Sequence, residues 1–439
     1  MSTRGWSFVL QWSRVGINAA LFLIATRFLT LAEIGAFATA FAPIRMTQGL
    51  HKAGICESVI ILGRSQRRQD ALFALSVGAG LIVTLVLGAI AVLAQAPLLL
   101  ALSMIPLIHS IGAVSEGILR QSLRLRALAL RTLASQSAAA ALALWMLLHG
   151  AEAWALVGFA IANAALTAGL SLNLARWRPA TLPAWRYQAL IWPKTAQIAA
   201  RDFLTAALIP LTQLAVGLAL GLPAAGAFQI ATRVLSLIDA LTLAPLRFIA
   251  LPQLRGPHFR RALADHLRLS ASLAVWIWAG TCVAAPQILA LLIGPDHAAT
   301  TAPVLIGLGG FGLLSALTMP IHQALTAQGH TGLMLKRAAM LIALGALCTL
   351  PALAFSATSV AVALSSAALL TTLWHLTRAL PRLGLGLRDL SPLCAPLFAG
   401  TLMLGAFALT PPLPLFIEIA LGSTLYIAIL LPPIKRSPA

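Results

Sequence analysis

Charged residues are scarce in this chain, and acidic ones are the scarcest. Only 9% of its 439 residues are Asp, Glu, Lys or Arg, and Asp and Glu together number 11. An average soluble domain is about 25% charged, so this chain lacks the polar surface needed to face water on all sides. The deficit excludes an ordinary water-soluble protein and indicates one with largely apolar surroundings.

Cysteine is rare as well, and motifs for cofactors are missing. The four cysteines stand far apart in apolar stretches without a C-x-x-C spacing, so we predict no disulfide and no metal site. No Walker A motif occurs. The stretch "GLGGFG" at 307–312 matches a nucleotide-binding pattern, but it lies inside an apolar run with no strand before it. Close helix packing by small residues explains it better, and no cofactor is predicted.

Long apolar runs are what the sequence does have. Hydrophobic residues make up 60% of the chain, and runs of roughly 20 apolar residues, each long enough to cross a bilayer as a helix, recur along it. The sequence predicts an all-α polytopic membrane protein with about 14 transmembrane helices. The spans are predicted at 6–29, 33–62, 70–93, 97–119, 127–148, 152–174, 197–220, 224–252, 268–292, 300–326, 332–354, 357–378, 392–410 and 413–433.

Basic residues mark one side of the membrane. Connections such as "GRSQRRQD" and "RQSLRLRALALR" alternate with "AQAP" and "LHGAEA", and the first set holds most of the 30 Lys and Arg residues. Basic short loops stay cytoplasmic, so both termini are predicted inside. The net charge of +19 thus reflects orientation and contact with anionic membrane lipids, not nucleic acid.

An internal repeat predicts two pseudo-symmetric six-helix lobes plus two C-terminal helices. Gly35-Ala36-Phe37 and Gly226-Ala227-Phe228 each follow a short outer turn, at the start of the second and eighth spans. A linker rich in Trp and Arg separates the halves and suits the cytoplasmic interface. The predicted parts are 1–175 (N-terminal lobe), 176–196 (interfacial linker), 197–380 (C-terminal lobe) and 381–439 (two extra spans and a tail).

Six basic residues fall inside predicted spans, where charge is costly. They are Arg14, Arg27, Arg45, Lys52, Arg233 and Arg247. A basic side chain at mid-bilayer costs about 2.5–3.5 kcal/mol on insertion scales. Arg27 and Arg247 stand near span ends, where they can snorkel to the headgroups. Arg45 lies twelve residues beyond Glu33, or about 18 Å along a helix, near the middle of the membrane.

Helical spacing arranges these cations in polar stripes. Arg45, Gln48 and Lys52 recur at i, i+3 and i+7 on one helix face. Comparable stripes are predicted on the first and eighth spans, with the members Gln11, Arg14 and Asn18, and Gln229, Arg233 and Ser236. Such stripes face a wet cavity or a partner rather than lipid.

The counter-charges are few, and two interpretations stay open. The embedded acids are Glu57, Asp202 and Asp239, with Glu116 and Glu418 near span ends. In one interpretation, the cations pair with these acids and lock helices together. In the other, a surplus of positive charge awaits an anion, and a phosphate or diphosphate suits Arg and Lys. The predicted substrate-binding residues are Arg14, Asn18, Arg45, Gln48, Lys52 and Arg233. The predicted charge-pairing or ion-coupling residues are Asp202, Asp239 and Glu57.

The sequence also resembles a known family. "WSFVLQWSRVGINAALFLIATRFLTLAEIGAFATA", "GAEAWALVGFAIANAALTAGLSLNLARWRP" and "IALPQLR" are similar to bacterial polysaccharide transporters and oligosaccharide flippases. These belong to the multidrug/oligosaccharidyl-lipid/polysaccharide exporter superfamily. The resemblance implies a secondary transporter, not an enzyme, that moves an undecaprenyl-diphosphate-linked oligosaccharide across the bacterial inner membrane. It also implies polysaccharide polymerase and chain-length machinery as partners.

Two other functions stay open at this stage. A multidrug or cation antiporter of the same superfamily should use acidic cavity residues, whereas this chain offers basic ones. A polytopic polysaccharide polymerase or acyltransferase should have large outer loops or a polar catalytic cluster, and the predicted outer connections carry neither.

Overall fold

The protein is helical throughout the part that its structure describes. The computed structural model describes residues 3–48, 55–62, 65–122, 124–180, 185–254, 259–409 and 414–434. Helices joined by short connections make up these ranges, which contain no β-strand. The all-α prediction is confirmed.

The chain divides into two compact units, Met1–Gly226 and Ala227–Ala439. The first holds α1 (Thr3–Phe28), α2 (Leu31–Gln48), α3 (Cys56–Leu62), α4 (Gln66–Leu93), α5 (Pro97–Leu102), α6 (Ile105–Gln121), α7 (Leu125–Leu148), α8 (Trp154–Ala175), α9 (Trp185–Ala219) and the start of α10 (Leu222–Gln253). The second holds the rest of α10, α11 (Phe259–Ile293), α12 (Pro295–Ala327), α13 (Thr331–Ala352), α14 (Ala357–Arg382), a 3-10 turn (Leu387–Leu393), α15 (Cys394–Ala408) and α16 (Leu415–Ile434).

Every predicted span overlaps a helix. Nine helical segments in the described ranges are long and apolar enough to cross a membrane, and shorter apolar stretches occur in α1 and α9. The span predicted at 97–119 is broken into α5 and α6 by a turn at Ser103 and Met104. Pro106 lies in the first turn of α6, where its missing backbone N–H costs no helical hydrogen bond.

A capping box starts α2. The Thr30 backbone N–H donates to Glu33 Oε2 (2.7 Å), and the Glu33 backbone N–H donates to Thr30 Oγ1 (3.3 Å). Each side chain thus satisfies a backbone N–H that the first helical turn leaves without a partner. Glu33 therefore has a structural function at the start of α2.

In the first unit, α1 packs along α7, while α2 packs along α9. The beginnings of α2 and α10 also approach each other very closely. A Cβ placed on Gly35 would lie 1.8 Å from the Leu222 carbonyl oxygen, and one on Gly226 would lie 2.0 Å from the Leu31 carbonyl oxygen. Only glycine fits at either position, so the repeated Gly-Ala-Phe tripeptides mark a backbone-to-backbone contact.

The predicted interfacial linker is partly helical and partly core. Helix α9 begins at Trp185, within the predicted linker at 176–196. Trp177 is buried, and its ring meets that of Phe73 edge-on with the centroids 5.5 Å apart. Trp192 is exposed. Trp177 therefore belongs to the core of the first unit rather than to an interfacial surface, and the division of the chain into lobes at this linker stays a prediction.

The second unit is built around α11, α12 and α14, and small residues bring these helices together. A Cβ on Gly312 would lie 2.0 Å from the Trp278 ring, and one on Gly310 would lie 3.0 Å from Ser365 Cβ. The prediction that "GLGGFG" serves close helix packing is confirmed.

The two C-terminal helices are joined to α11. Ala271, Val275 and Ala279 of α11 form an apolar cluster with Ala399 and Met403 of α15 and Tyr426 of α16. Tyr426 Oη also donates a hydrogen bond to the Ser272 carbonyl oxygen, at 2.9 Å. The last two helices are therefore part of the second unit's core.

Candidate functional site

The cationic stripe predicted on α2 is represented in the structure by Arg45 and Gln48. Both side chains are half-buried and stand one turn apart near the end of α2. No carboxylate in the described ranges forms an ion pair with Arg45. Lys52, the third member of the stripe, falls at 49–54, outside the described residues.

The stripe predicted on α1 is described in part. Asn18 is half-buried and takes part in a polar or electrostatic interaction. Arg14 lies on α1, but its side chain is outside what the structure describes. Because α1 packs mainly against α7 and α2 mainly against α9, the two stripes lie on helices that have different neighbours.

The remaining predicted residues are distributed over α3, α9 and α10. Glu57 in the first turn of α3, and Arg233 and Asp239 on α10, are half-buried and each takes part in a polar or electrostatic interaction. Asp202 lies on α9, and its side chain is outside the described part. The assignment of all these residues to substrate or ion binding stays a prediction.

A buried ion pair in the first unit was missed by sequence reasoning. Arg131 and Glu116 are only 7% and 4% exposed, and Arg131 Nη1 lies 3.1 Å from Glu116 Oε2. The sequence pattern counts Arg131 with the basic connection "RQSLRLRALALR", while the span predicted at 127–148 also includes it. The structure agrees with the span, because α7 begins at Leu125 and carries Arg131 two turns into the helix.

Hydroxyl groups complete this network. Arg131 Nη1 also donates to Ser171 Oγ at 2.7 Å, and Ser171 Oγ donates to the Thr167 carbonyl oxygen at 2.5 Å. Thr167 Oγ1 in turn donates to Ser135 Oγ at 3.1 Å. The network ties α6, α7 and α8 together through a charged pair and its hydrogen bonds, which is what a desolvated ion pair requires.

Two more arginines surround the same three helices. Arg120 donates to Glu116 Oε1 from one turn further along α6, and Arg124 Nη1 donates to the Leu174 carbonyl oxygen at 2.8 Å. Glu116 therefore accepts from two guanidinium groups. Arg131, which the sequence does not count among the embedded cations, is thus paired with an acid. Arg45, which it does count, forms no ion pair with a carboxylate among the described residues.

Potential metal ligands and thiols lie within the described ranges. Among the described side chains, no group of three or more His, Cys, Asp or Glu residues could hold a metal ion. All four cysteines are free thiols, and Cys56 Sγ donates to the Ala113 carbonyl oxygen at 3.2 Å.

Comparison with protein families decides the membership of the chain. A family model described as "Polysaccharide biosynthesis protein" matches residues 24–301, well over half of the sequence. The chain belongs to the polysaccharide biosynthesis protein family. No curated protein matches this family member by sequence.

Solved structures show which fold this polysaccharide biosynthesis protein has. It is similar to the lipid II flippase MurJ in an inward closed conformation, with a TM-score of 0.78, 15% identity and 97% of each chain covered. An inward-facing multidrug resistance MATE family transporter of the MOP superfamily gives a TM-score of 0.62 at 16% identity. That match covers 85% of this chain and 95% of the other.

A third structure belongs to the same superfamily. It is a MOP superfamily transporter from Pyrococcus furiosus whose binding pocket has reverse polarity, with a TM-score of 0.59 and 15% identity. The match covers 88% of this chain and 98% of that one. The chain is therefore a polysaccharide biosynthesis family member whose fold is that of solved multi-pass membrane transporters. The resemblance seen in the sequence is thereby confirmed.

Proposed function

We propose that this protein is a flippase that translocates an undecaprenyl-diphosphate-linked oligosaccharide across the bacterial inner membrane by alternating access. The observation that carries the proposal is Arg45, a half-buried cation within α2 without an ion-pair partner among the described carboxylates. A guanidinium at this depth needs an anion or water to offset its desolvation. The diphosphate of a lipid-linked glycan supplies that anion.

The chemistry of a diphosphate fits the stripe on α2. Arginine offers two parallel N–H donors to a pair of phosphate oxygens, and the Gln48 amide, one turn away, adds a neutral donor. Lys52, Arg14 and Arg233 are proposed as further cations, and Asn18 as a further polar contact. Asp202, Asp239 and Glu57 are proposed to pair with these cations between cycles or to bind a coupling ion.

The share of this chain that MurJ matches also supports a lipid-linked substrate. The match to that lipid II flippase covers 97% of this chain, so the uncovered remainder is shorter than α15 and α16 together. The match to the multidrug MATE transporter covers 85% of this chain, with a lower TM-score of 0.62 against 0.78. The larger and closer match favours a flippase over a drug exporter. We propose surface-glycan biosynthesis as the context, with a polymerase and chain-length machinery downstream.

Deletion of the gene tests the proposal most directly. Finished lipid-linked repeat units should accumulate on the inner leaflet, since their synthesis continues while their translocation stops. In the deletion strain, a gene copy carrying Arg45→Ala should not relieve this accumulation. A copy carrying Arg67→Ala should restore translocation and remove the accumulation, because Arg67 is an exposed cation at the start of α4. Loss of the repeat unit itself in the deletion strain would instead favour the polymerase or transferase alternative.

A further inference from the structure

The second unit contains a cluster of basic residues that matches the ion-pair network of the first unit in position but differs in charge. In the first unit, Glu116 on α6 precedes Arg131 on α7 by fifteen residues. In the second, His322 on α12 precedes Arg337 on α13 by the same fifteen residues. A histidine thus occupies the position at which the first unit has the carboxylate that neutralises its arginine.

A second histidine joins this cluster from α14. His375 is 0% exposed, and its ring packs edge-on against that of His322 with the centroids 5.1 Å apart. Neither ring nitrogen of His375 has a hydrogen-bond partner among the described residues, and the buried Nε of Arg337 likewise has none. Buried polar groups are nearly always hydrogen-bonded, so these atoms indicate a missing ligand.

The charged side chains that interact with His375 are basic. Arg337 and Arg382 both lie close enough to His375 to interact with it electrostatically. No carboxylate in the described ranges forms an ion pair with Arg337. Two acids of the second unit have other surroundings: Asp389 caps the 3-10 turn by accepting from the Gly386 N–H, and Asp265 on α11 is exposed.

Apolar packing closes the end of the cluster that the basic connections mark as cytoplasmic. Leu333, Ala379 and Leu383 are buried there in one hydrophobic cluster with Ile321 and Leu325. Arg337 itself is half-buried, and its neighbour Lys336 is exposed on α13. The exposed face of α13 beside Arg337, which includes Leu335 and Lys336, is therefore the side from which a ligand is taken to approach.

We propose that Arg337, His322 and His375 form a phosphate-binding site in the second unit, separate from the residues proposed for substrate translocation. The Arg337 guanidinium faces two phosphate oxygens, and the imidazole N–H groups donate to the others. The bound group supplies the negative charge that Glu116 supplies in the first unit. Its source is either the headgroup of an anionic phospholipid, reached along the exposed face of α13, or inorganic phosphate.

The test uses full-length protein delipidated in a maltoside detergent, which contains no phosphate. Native mass spectrometry measures binding of phosphatidate, with diacylglycerol as the phosphate-free lipid, and calorimetry measures binding of inorganic phosphate. Arg337→Gln should weaken binding by about tenfold or more, the usual effect of one charged hydrogen bond. His322→Glu places a carboxylate fifteen residues before Arg337 and should have the same effect. Lys336→Gln, with an equal change of charge on the exposed neighbour, should bind as wild type does.

The outcomes distinguish a lipid headgroup from inorganic phosphate, and they also show whether the site exists. Binding of phosphatidate alone assigns a lipid headgroup, and binding of inorganic phosphate as well assigns the free anion. Both support the site if Arg337→Gln and His322→Glu lower the affinity. Equal affinity in all four proteins, or binding of neither probe by wild type, would overturn the proposal. None of these results depends on translocation activity, so the proposed flippase function is tested separately.

Discussion

Gly35 on α2 and Gly226 on α10 each lie so close to the backbone of the other helix that no side chain fits at either position. A Cβ on either glycine would overlap a backbone carbonyl oxygen across the contact, that of Leu222 or of Leu31. The two glycines begin the two Gly-Ala-Phe tripeptides of the sequence. The tripeptides that suggested a repeat therefore also begin at a close backbone contact within the first unit.

Substituting either glycine should destabilise the protein. Gly35→Ala and Gly226→Ala each force a methyl group into a backbone atom, which cannot move as a flexible side chain can, and overpacking typically costs about 1–3 kcal/mol. The thermal unfolding midpoint of the detergent-purified protein should fall for both variants. In Gly16→Ala the added Cβ meets nothing within 4 Å, so the midpoint should stay or rise. Similar midpoints for all three variants would contradict the close contact.

The ion pair between Glu116 and Arg131 should be essential for stability. Glu116→Gln leaves a buried guanidinium without a carboxylate, and breaking a buried pair from one side costs about 3–5 kcal/mol. Arg120→Gln removes the other contact to Glu116, but that side chain is 44% exposed, so the loss should stay below about 1 kcal/mol. Thermal unfolding checks both.

A double variant makes the ion-pair test sharper. Glu116→Gln combined with Arg131→Met removes both charges and should be more stable than Glu116→Gln alone, because no unpaired charge stays buried. Additive losses in the double variant would show that the two side chains act independently.

The geometry of anion binding at Arg45 can be separated from its charge. Arg45→Ala should abolish polymer export in a complementation assay, while Arg45→Lys should retain export only if a point charge suffices. A bidentate contact to two phosphate oxygens predicts that Arg45→Lys is severely impaired. Membrane insertion and expression are measured in parallel, with Arg67→Ala as the matched variant. Full export by Arg45→Ala would exclude the proposed role.

Topology is tested by cysteine accessibility. In a cysteine-free background, Ser65→Cys and Ser122→Cys should react with a membrane-impermeant maleimide only after permeabilisation, since basic connections are expected in the cytoplasm. Gln95→Cys, Glu152→Cys and Phe355→Cys should react in intact spheroplasts. All five positions are exposed, so differences in labelling report sidedness. The reverse pattern would place both termini outside.

Sequence alone was sufficient for the helices but not for every charge. Long apolar runs determine a transmembrane helix almost without tertiary context, and each predicted span overlaps a helix. Arg131 was counted with the basic connection "RQSLRLRALALR", although the span predicted at 127–148 also includes it. It lies inside α7, where neighbouring helices determine its surroundings.

The sequence also does not show which side chains on other helices contact a buried charge such as Arg131. Ser171 reaches Arg131 only because α7 and α8 pack side by side, and nothing local to either residue encodes that contact. One signal was present: both halves carry an arginine fifteen residues after a polar residue near the end of the preceding span. Comparing the halves position by position would have exposed the exchange of Glu116 for His322.

The hydrogen bond from Tyr426 to Ser272 and the apolar cluster around Val275 have a practical consequence for engineering the chain. A Cβ on Gly400 would lie 2.2 Å from Val275 Cγ1, so α15 is fitted to α11 at van der Waals range. A shortened protein that ends before α15 would expose the apolar face of α11 that α15 and α16 cover, and this face would promote aggregation. Fusion tags and reporters therefore belong after the last helix, and trimming should stop there.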